Sequence, residues 1–184
     1  MIYLFATEFE AQPFRKAYPD AQIVICGVGA AECAATTAQI ITQMCERGEQ
    51  KTLILAGIAG SYDLSQVALC EVVEVLSEQI AALPERFAKH YLAASQTTLK
   101  GVSSNSVNSS AECPPTAQIE NMEGAAFMAV CERLNVKCLQ VRAISNKVGD
   151  PFAEWKVAEA CAALCDVLLD LSLTASLTGS GGRG

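Results

Sequence analysis

Short apolar runs alternate along the chain with longer segments in which apolar residues recur at helical spacing. The short runs and one alternating segment predict strands at residues 2–5, 22–26, 52–56, 68–76 and 137–144. The longer segments predict helices at residues 6–17, after an opening loop, and at 30–46, 122–134 and 152–171. Strands that alternate with helices indicate an α/β fold, a three-layer sandwich around a central mixed, largely parallel sheet.

Two stretches lack this order. Residues 77–118 are the least regular part of the chain, because serine and asparagine crowd 103–110 and Cys113-Pro114-Pro115 adds another break. The Gly/Ser-rich end predicts a disordered tail at 177–184. We therefore expect a single domain over residues 1–176, with no internal repeat.

Composition excludes several classes of protein. The 184 residues are 51% hydrophobic and carry a net charge of −7, so no basic surface is available for nucleic acid. The apolar start lacks a basic flank and soon reaches Glu8, which argues against a signal peptide, and no stretch is long enough to span a membrane. We expect a cytoplasmic protein without nucleic-acid or membrane partners.

The nine cysteines form no Cys-x-x-Cys motif, and the chain has a single histidine, His90. Cys131, Cys161 and Cys165 lie among apolar residues at helical spacing, where reduced thiols serve as small core side chains. The sequence therefore predicts no metal site and no cofactor. The segment 27–29, Gly-Val-Gly, lacks the third glycine of a dinucleotide loop, so a tight strand-to-helix turn explains it better.

Polar residues and glycines follow the predicted strands. Glu10 comes after the first strand, Gly27 after the second, Gly57 after the third, and Ser145-Asn146 after the strand at 137–144. In parallel α/β sheets, ligands collect at the carboxyl ends of the strands. These residues are therefore candidates for one site.

Taken singly, the remaining polar residues have ordinary explanations. Glu123 opens a helix and would interact with its dipole, and Met122 beside it would pack in the core. Arg142 lies in an apolar strand, where a charge must be paired, so we expect a structural ion pair.

Together, these segments resemble the nucleoside phosphorylase and nucleosidase superfamily. The resemblance is carried by Met122-Glu123 at a helix start and, further along the chain, by Arg142-Ala143-Ile144-Ser145-Asn146 at a strand end. Gly57-Ile58-Ala59-Gly60 is similar to the superfamily's glycine-rich loop, and Ala6-Thr7-Glu8-Phe9-Glu10 to its N-terminal loop. It covers residues 1–76 and 118–171 and lapses between them, where this chain is shorter than typical members.

The resemblance implies a nucleoside phosphorylase-like fold, a purine nucleoside as partner, and a homodimer or larger homo-oligomer. Cleavage of a nucleoside passes through an oxocarbenium-like state, which needs a base for water, a carboxylate for the ribose and a donor for the leaving purine. Glu10 suits the first task, with Glu8 as its rival, and Asn146 the third. Substrate binding falls to Glu123 for the ribose, and to Asn121, Met122, Ala59, Gly60 and Ser145.

The identity of the base depends on Asn146. A 6-oxopurine presents two acceptors, N7 and O6, to which an amide group can donate, whereas a protonated aspartate suits adenine better. Adenine-cleaving nucleosidases carry Glu-Met-Glu and Ser-Asp where this chain has Asn121-Met122-Glu123 and Ser145-Asn146. Within the superfamily the chain is therefore most similar to the futalosine hydrolases, which release hypoxanthine and dehypoxanthine futalosine in menaquinone biosynthesis.

The acceptor of the ribosyl group is expected to be water. Phosphorylases of the superfamily place an arginine before the glycine-rich loop, and this chain has Leu55-Ala56 there. Three alternatives stay open: a purine nucleoside phosphorylase, a methylthioadenosine/S-adenosylhomocysteine nucleosidase, and a non-catalytic nucleoside-binding protein. The middle segment normally supplies an aromatic platform for the base, for which Tyr91 and His90 are the candidates.

Overall fold

The structure, a computed structural model, describes residues 1–112 and 114–179 as a mixed α/β fold. Its strands are β1 (Ile2–Phe5), β2 (Ile23–Ile25), β3 (Leu53–Ser61), β4 (Val72–Ile80), β5 (His90–Leu92), β6 (Lys100–Ser106), β7 (Ile119–Asn121) and β8 (Cys138–Lys147). Its helices are α1 (Glu8–Ala17), α2 (Ala30–Glu46), α3 (Gly124–Arg133) and α4 (Val157–Gly179), with short 3-10 turns at Glu85–Phe87 and Phe152–Glu154.

The eight described strands form one sheet, and five of them are hydrogen-bonded in a closed ring. The order is β2-β1-β3-β7-β6-β4-β5, and β8 pairs with both β3 and β4. Strands β3, β7, β6, β4 and β8 therefore make a closed ring, filled by apolar side chains such as Val73, Val102, Ile119 and Ile144. Five strand pairs are parallel and three antiparallel, which confirms the mixed, largely parallel sheet.

The open part of the sheet separates two layers of helices. Successive side chains of a strand point to opposite faces, so Tyr3 and Phe5 pack with α1 and α4, while Ile2 and Leu4 pack with α2 and α3. All four side chains are buried. This alternation, read directly from β1, produces the predicted three-layer arrangement.

Sequence patterns located the outer elements well and the ring strands less well. The predicted limits of β1 and α2 are confirmed, but β3 continues through Gly57–Gly60, and β8 continues through Ser145 and Asn146. The strand predicted at 68–76 begins at Val72 and runs on to Ile80. The turns predicted in 103–110 are wrong for residues 103–106, which lie in β6. Ser104, Asn105 and Ser106 are buried there, and hydrogen bonds satisfy their polar groups.

The last two helices begin later than the hydrophobic pattern suggests. Helix α3 starts at Gly124 rather than residue 122, and α4 starts at Val157 after the 3-10 turn Phe152–Glu154. Helix α4 also extends to Gly179, so the first residues of the expected tail at 177–184 are helical, and 180–184 lie outside the described residues. Within the described part of the chain, no helix combines the length and apolar character needed to cross a membrane.

The cysteines of the described residues are all free thiols. Cys131, Cys161 and Cys165 are buried, as their helical spacing predicts. Burial, with the negative charge of Glu10 as a smaller cause, raises the pKa of the Cys161 thiol to about 12. This thiol therefore stays protonated at neutral pH and packs as an apolar side chain.

Helix α4 offers a direct test of the layered core. Leu168 is fully buried against the sheet, whereas Leu173 on the same helix is 65% exposed. We expect Leu168→Ala to lower the free energy of unfolding by about 2–5 kcal/mol, because it removes buried apolar contacts and leaves a cavity. The matched Leu173→Ala should change it by less than about 0.5 kcal/mol in urea melts. Equal effects would contradict the layer assignment.

Candidate active site

A cavity of about 800 Å³ opens where β1, β3, β7 and β8 end, within the size range of small-molecule sites. All predicted site residues except Arg142 line it: Glu10, Ala59, Gly60, Asn121, Met122, Glu123, Ser145 and Asn146. These residues come from four separate parts of the sequence. The fold therefore brings together the segments that carry the sequence motifs.

Helix α1 fixes the carboxylate of Glu10 at the cavity. Thr7 caps the helix, its hydroxyl accepting from the Glu10 backbone N–H, while Glu10 Oε2 accepts from the backbone N–H and hydroxyl of Thr7 at 3.0 and 2.7 Å. Oε1 accepts from the backbone N–H of Ile58 at 3.0 Å. Glu10 is 6% exposed, whereas the Glu8 side chain is 62% exposed and pairs with Arg15. The geometry thus favours Glu10 over Glu8 as the carboxylate available to a ligand.

Arg142 is the buried positive charge behind the cavity. Its side chain is 1% exposed, and both terminal nitrogens lie 3.4 Å from Glu123 Oε2. The other oxygen of Glu123 accepts from the backbone N–H of Gly29 at 3.0 Å. Glu123 is therefore held by an ion pair on one side and by the start of α2 on the other.

Gly57 in β3 lies next to both Arg142 and Glu10. A Cβ on Gly57 would lie 2.8 Å from Arg142 Nη1 and 2.9 Å from Glu10 Oε1. Arg142 Nη1 also donates to the carbonyl of Ile58 at 3.4 Å. Gly57 therefore leaves room beside β3 for the side chains of both Glu10 and Arg142.

Asn121 lines the cavity, but its polar atoms are engaged by the protein. Its Oδ1 accepts from Arg142 Nη2 at 2.9 Å and from the backbone N–H groups of Glu123 and Gly124. Its Nδ2 donates to Glu78 Oε2 and to the Ser104 hydroxyl, each at 2.8 Å. Both amide hydrogens are therefore used. These contacts indicate that Asn121 positions Arg142 and the start of α3, and the substrate-binding role expected from the sequence stays a prediction.

Glu78 anchors this arrangement from the opposite side. It is fully buried, and it accepts from Asn121, from Gln140 Nε2 at 3.0 Å and from the Ser106 hydroxyl at 3.1 Å. Burial raises the pKa of the Glu78 carboxyl, while these donors and Arg142 act in the opposite direction. Nothing in the sequence distinguishes Glu78 from other glutamates, because its partners come from three distant segments.

Asn146 reaches the cavity through an irregularity in β8. Ala59 of β3 pairs with Ile144, but the next residue, Gly60, pairs with Asn146, so Ser145 is an extra residue in the ladder. The Ser145 hydroxyl donates to Asn146 Oδ1 at 2.7 Å, and Asn146 Nδ2 donates to the Lys147 carbonyl at 3.0 Å. One amide hydrogen of Asn146 stays available, fewer than the two that the sequence argument assigned to a purine.

The aromatic side chains at the cavity are not those that the sequence suggested. Phe9, Phe152 and Trp155 line it, and the rings of Phe152 and Trp155 lie 5.2 Å apart. His90 and Tyr91 are instead in β5, whose Tyr91 lines a separate groove beside α3. The expectation of an aromatic platform from residues 77–118 is therefore wrong. The sequence pattern assigns Phe152 and Trp155 to the first turn of a helix, so it does not identify them as residues of the cavity.

Comparisons with known proteins find similarity to one superfamily. Residues 107–172 match the phosphorylase superfamily. A segment of 49 residues is 47% identical to futalosine hydrolase of Thermus thermophilus, and this match spans 26% of the present chain and 22% of that protein. The superfamily resemblance indicated by the sequence motifs is thereby confirmed.

Two solved structures share the fold. The 5'-methylthioadenosine/S-adenosylhomocysteine nucleosidase from Helicobacter pylori, with butyl-thio-DADMe-Immucillin-A, has a TM-score of 0.76 at 15% identity over 92% of this chain and 96% of that one. A mutant of futalosine hydrolase from Helicobacter pylori strain 26695 has a TM-score of 0.72 at 14% identity, over 91% and 95%. The predicted nucleoside phosphorylase-like fold is confirmed.

The positioning role of Glu78 can be tested with a matched control on the same strand. Glu78→Gln would place an amide nitrogen among donors, leave a buried donor unpaired and displace Asn121. We expect a lower melting temperature and about tenfold lower kcat/KM in an assay of nucleoside cleavage, the activity that the resemblance implies. Glu74→Gln disturbs a similarly buried carboxylate, which accepts from Ser95, Gln96 and Thr97 away from the cavity. It should lower stability without changing kcat/KM, and an equal kinetic loss in both variants would refute the positioning role.

Proposed function

We propose that this protein hydrolyses the N-glycosidic bond of a purine nucleoside, with a 6-oxopurine as the base. The observation that carries the proposal is the convergence of Glu10, Glu123 and Asn146 on one cavity. Each provides a group that glycosidic cleavage needs at a different part of the substrate. Futalosine, a hypoxanthine nucleoside, is the proposed substrate.

Glu10 is proposed to activate the attacking water. Thr7 and Ile58 hold its carboxylate with three hydrogen bonds, which leave it oriented but not saturated. A water bound to a free lone pair of this carboxylate would lose its proton to Glu10 as it adds to the sugar carbon. Because the carboxylate is already fixed by the cap of α1, little reorganisation accompanies this step.

Glu123 is proposed to bind the ribose hydroxyls. Its carboxylate is 5% exposed and lines the cavity while paired with Arg142 and with the Gly29 N–H. A negative charge beside the sugar stabilises the positive charge that the ribose acquires as the bond breaks. Arg142 keeps this carboxylate buried without an uncompensated charge.

Asn146 is proposed to donate to the leaving purine. Ser145 holds the amide oxygen and Lys147 takes one amide hydrogen, so the second hydrogen is free for N7 or O6. Negative charge develops on the purine during cleavage, and a donor at this edge stabilises it.

Water is favoured over phosphate as the acceptor by the charge of the cavity. The described residues that line it include four glutamates, Glu10, Glu120, Glu123 and Glu159, and no lysine or arginine. Arg142, the cation behind the cavity, is buried and paired with Glu123. A phosphate would meet negative charge without a free cation to bind it, which argues against a phosphorylase.

Two observations bear on the part of the substrate beyond the purine and the ribose. The similarity to Thermus thermophilus futalosine hydrolase supports futalosine, and an 800 Å³ cavity leaves room beyond a nucleoside near Phe9, Phe152 and Trp155. A methylthioadenosine/S-adenosylhomocysteine nucleosidase is the second candidate, because such enzymes share the fold. The homo-oligomeric state and the cytoplasmic location expected from the sequence stay predictions.

A substrate panel tests the proposal. We expect hypoxanthine release from futalosine in phosphate-free buffer at the full rate, since the acceptor is water. Inosine and methylthioadenosine complete the panel, each assayed with and without phosphate, and products are followed by chromatography. Formation of ribose 1-phosphate only when phosphate is present would indicate a phosphorylase. Binding of these nucleosides without turnover would indicate a non-catalytic binding protein.

The proposed base can be tested against its neighbour on the same helix. Glu10→Gln removes the basic oxygen but keeps the size of the side chain, so kcat should fall roughly a hundredfold or more. Glu8→Gln removes only an exposed ion pair with Arg15 and should leave kcat unchanged. Single-turnover assays on protein with verified melting temperatures make the comparison. Normal turnover in Glu10→Gln would remove Glu10 from the mechanism.

A further inference from the structure

One buried carboxylate at the cavity has no part in the mechanism above. Glu120 lies on β7, immediately before the segment 121–123, and it is 4% exposed while lining the cavity. We propose that Glu120 selects the base by accepting a hydrogen bond from the N1–H of a 6-oxopurine. This inference rests on the proposed function and assigns it a further specificity-determining residue.

The sheet places Glu120 and Asn146 on either side of a gap. Gly60 of β3 pairs with Glu120 of β7 on one side and with Asn146 of β8 on the other. Directly paired residues point to the same face, and neighbouring strands lie about 4.8 Å apart, so the two side chains flank Gly60 across about 10 Å. A Cβ on Gly60 would lie 3.0 Å from Val148 Cγ2, 3.1 Å from Asn146 Nδ2 and 3.6 Å from Glu120 Cγ. Because Gly60 has no side chain, the Asn146 amide and the Glu120 side chain both come close to the same point of β3, and both line the cavity there.

The hydrogen-bonding edge of a 6-oxopurine matches this order of groups. N7 and O6 are acceptors and suit the free amide hydrogen of Asn146, while N1–H, next along the edge, is a donor and suits Glu120. Adenine presents a lone pair at N1 instead. That lone pair would face a carboxylate, and two buried acceptors in contact are unfavourable. Glu120 thus favours hypoxanthine or guanine and disfavours adenine.

The protein holds Glu120 ready for this contact. Its Oε2 accepts from the Tyr62 hydroxyl at 2.8 Å, and its Oε1 accepts from the Ser110 hydroxyl at 2.7 Å and the Ala111 N–H at 3.1 Å. Three donors fix the carboxylate and leave an acceptor position towards the cavity. All three of these partners are donors to Glu120, so the side chain serves here as an acceptor throughout.

The test compares futalosine with its N1-methyl derivative, which lacks the N1–H, using inosine and 1-methylinosine if the wild type cleaves only inosine. In the wild type we expect kcat/KM to fall tenfold or more on methylation. Glu120→Gln has the same size, so steric exclusion of the methyl group is unchanged. In Glu120→Gln, the single amide oxygen must accept from Tyr62, Ser110 and Ala111, so it is less available to the N1–H of the base. The ratio of kcat/KM between the unmethylated and the methylated substrate should therefore shrink towards one.

The control is Tyr62→Phe, which removes one hydrogen bond to Glu120 but keeps the carboxylate. It should retain the wild-type ratio, even if its melting temperature falls. A wild type that cleaves both substrates equally, or a Glu120→Gln protein with an unchanged ratio, would overturn the inference and leave the proposed hydrolase intact. If Glu120→Gln does not fold, Glu120→Ala is compared on inosine and adenosine, whose bases differ little in size. Its preference for inosine should be smaller than that of the wild type, and an unchanged preference would overturn the inference. Failure of the wild type to cleave any purine nucleoside would instead overturn the proposed function.

Discussion

The buried guanidinium of Arg142 is the constraint on which the rest of the site depends. An unpaired charge in the interior costs several kcal/mol, so its neighbours must compensate it. They do so from two elements that are distant in sequence: Asn121 at the end of β7 and Glu123 at the start of α3. Gly57 leaves the space that the guanidinium occupies. The carboxylate proposed to bind ribose is therefore also the counter-ion that allows β8 to carry a charge.

In the N-terminal helix α1, one residue, Glu10, likewise has several structural roles. Glu10 forms a capping box with Thr7, which satisfies backbone donors that every helix start exposes. The same carboxylate receives the Ile58 N–H from β3 and faces the cavity. One side chain thus starts the helix, joins it to the sheet and supplies the proposed base. A weaker cap would disturb position and chemistry together.

The sequence reveals the fold where local periodicity and burial agree. Helix α2 and strand β1 were predicted correctly because their apolar spacing follows their own geometry. The ring strand β6 was missed because its serines and asparagine look like turn residues, and only their partners on β4 and β7 make them suitable for a buried strand. Tertiary hydrogen bonding outweighed local preference there.

Some residues of the site can be identified from the sequence and others only from the structure. Motifs identified Glu10, Glu123 and Asn146, because each lies in a segment whose spacing resembles that of a known superfamily. Glu78 and Glu120 could not be found from the sequence, because their contacts depend on how β4 and β7 pair within the ring. Residues whose surroundings are assembled from several strands carry no local signature.

The extra residue in β8, Ser145, has a consequence for how the cavity would respond to a deletion. Deletion of Ser145 would restore a regular ladder in which Asn146 still pairs with Gly60, but Asn146 would then directly follow Ile144. Because successive side chains of a strand point to opposite faces, the Asn146 and Ile144 side chains would lie on opposite faces of the sheet. The amide would keep its partner Gly60 in β3 but lose the bulge that sets the direction of its side chain. A one-residue deletion in β8 would therefore redirect the proposed purine donor even though Asn146 itself is unchanged.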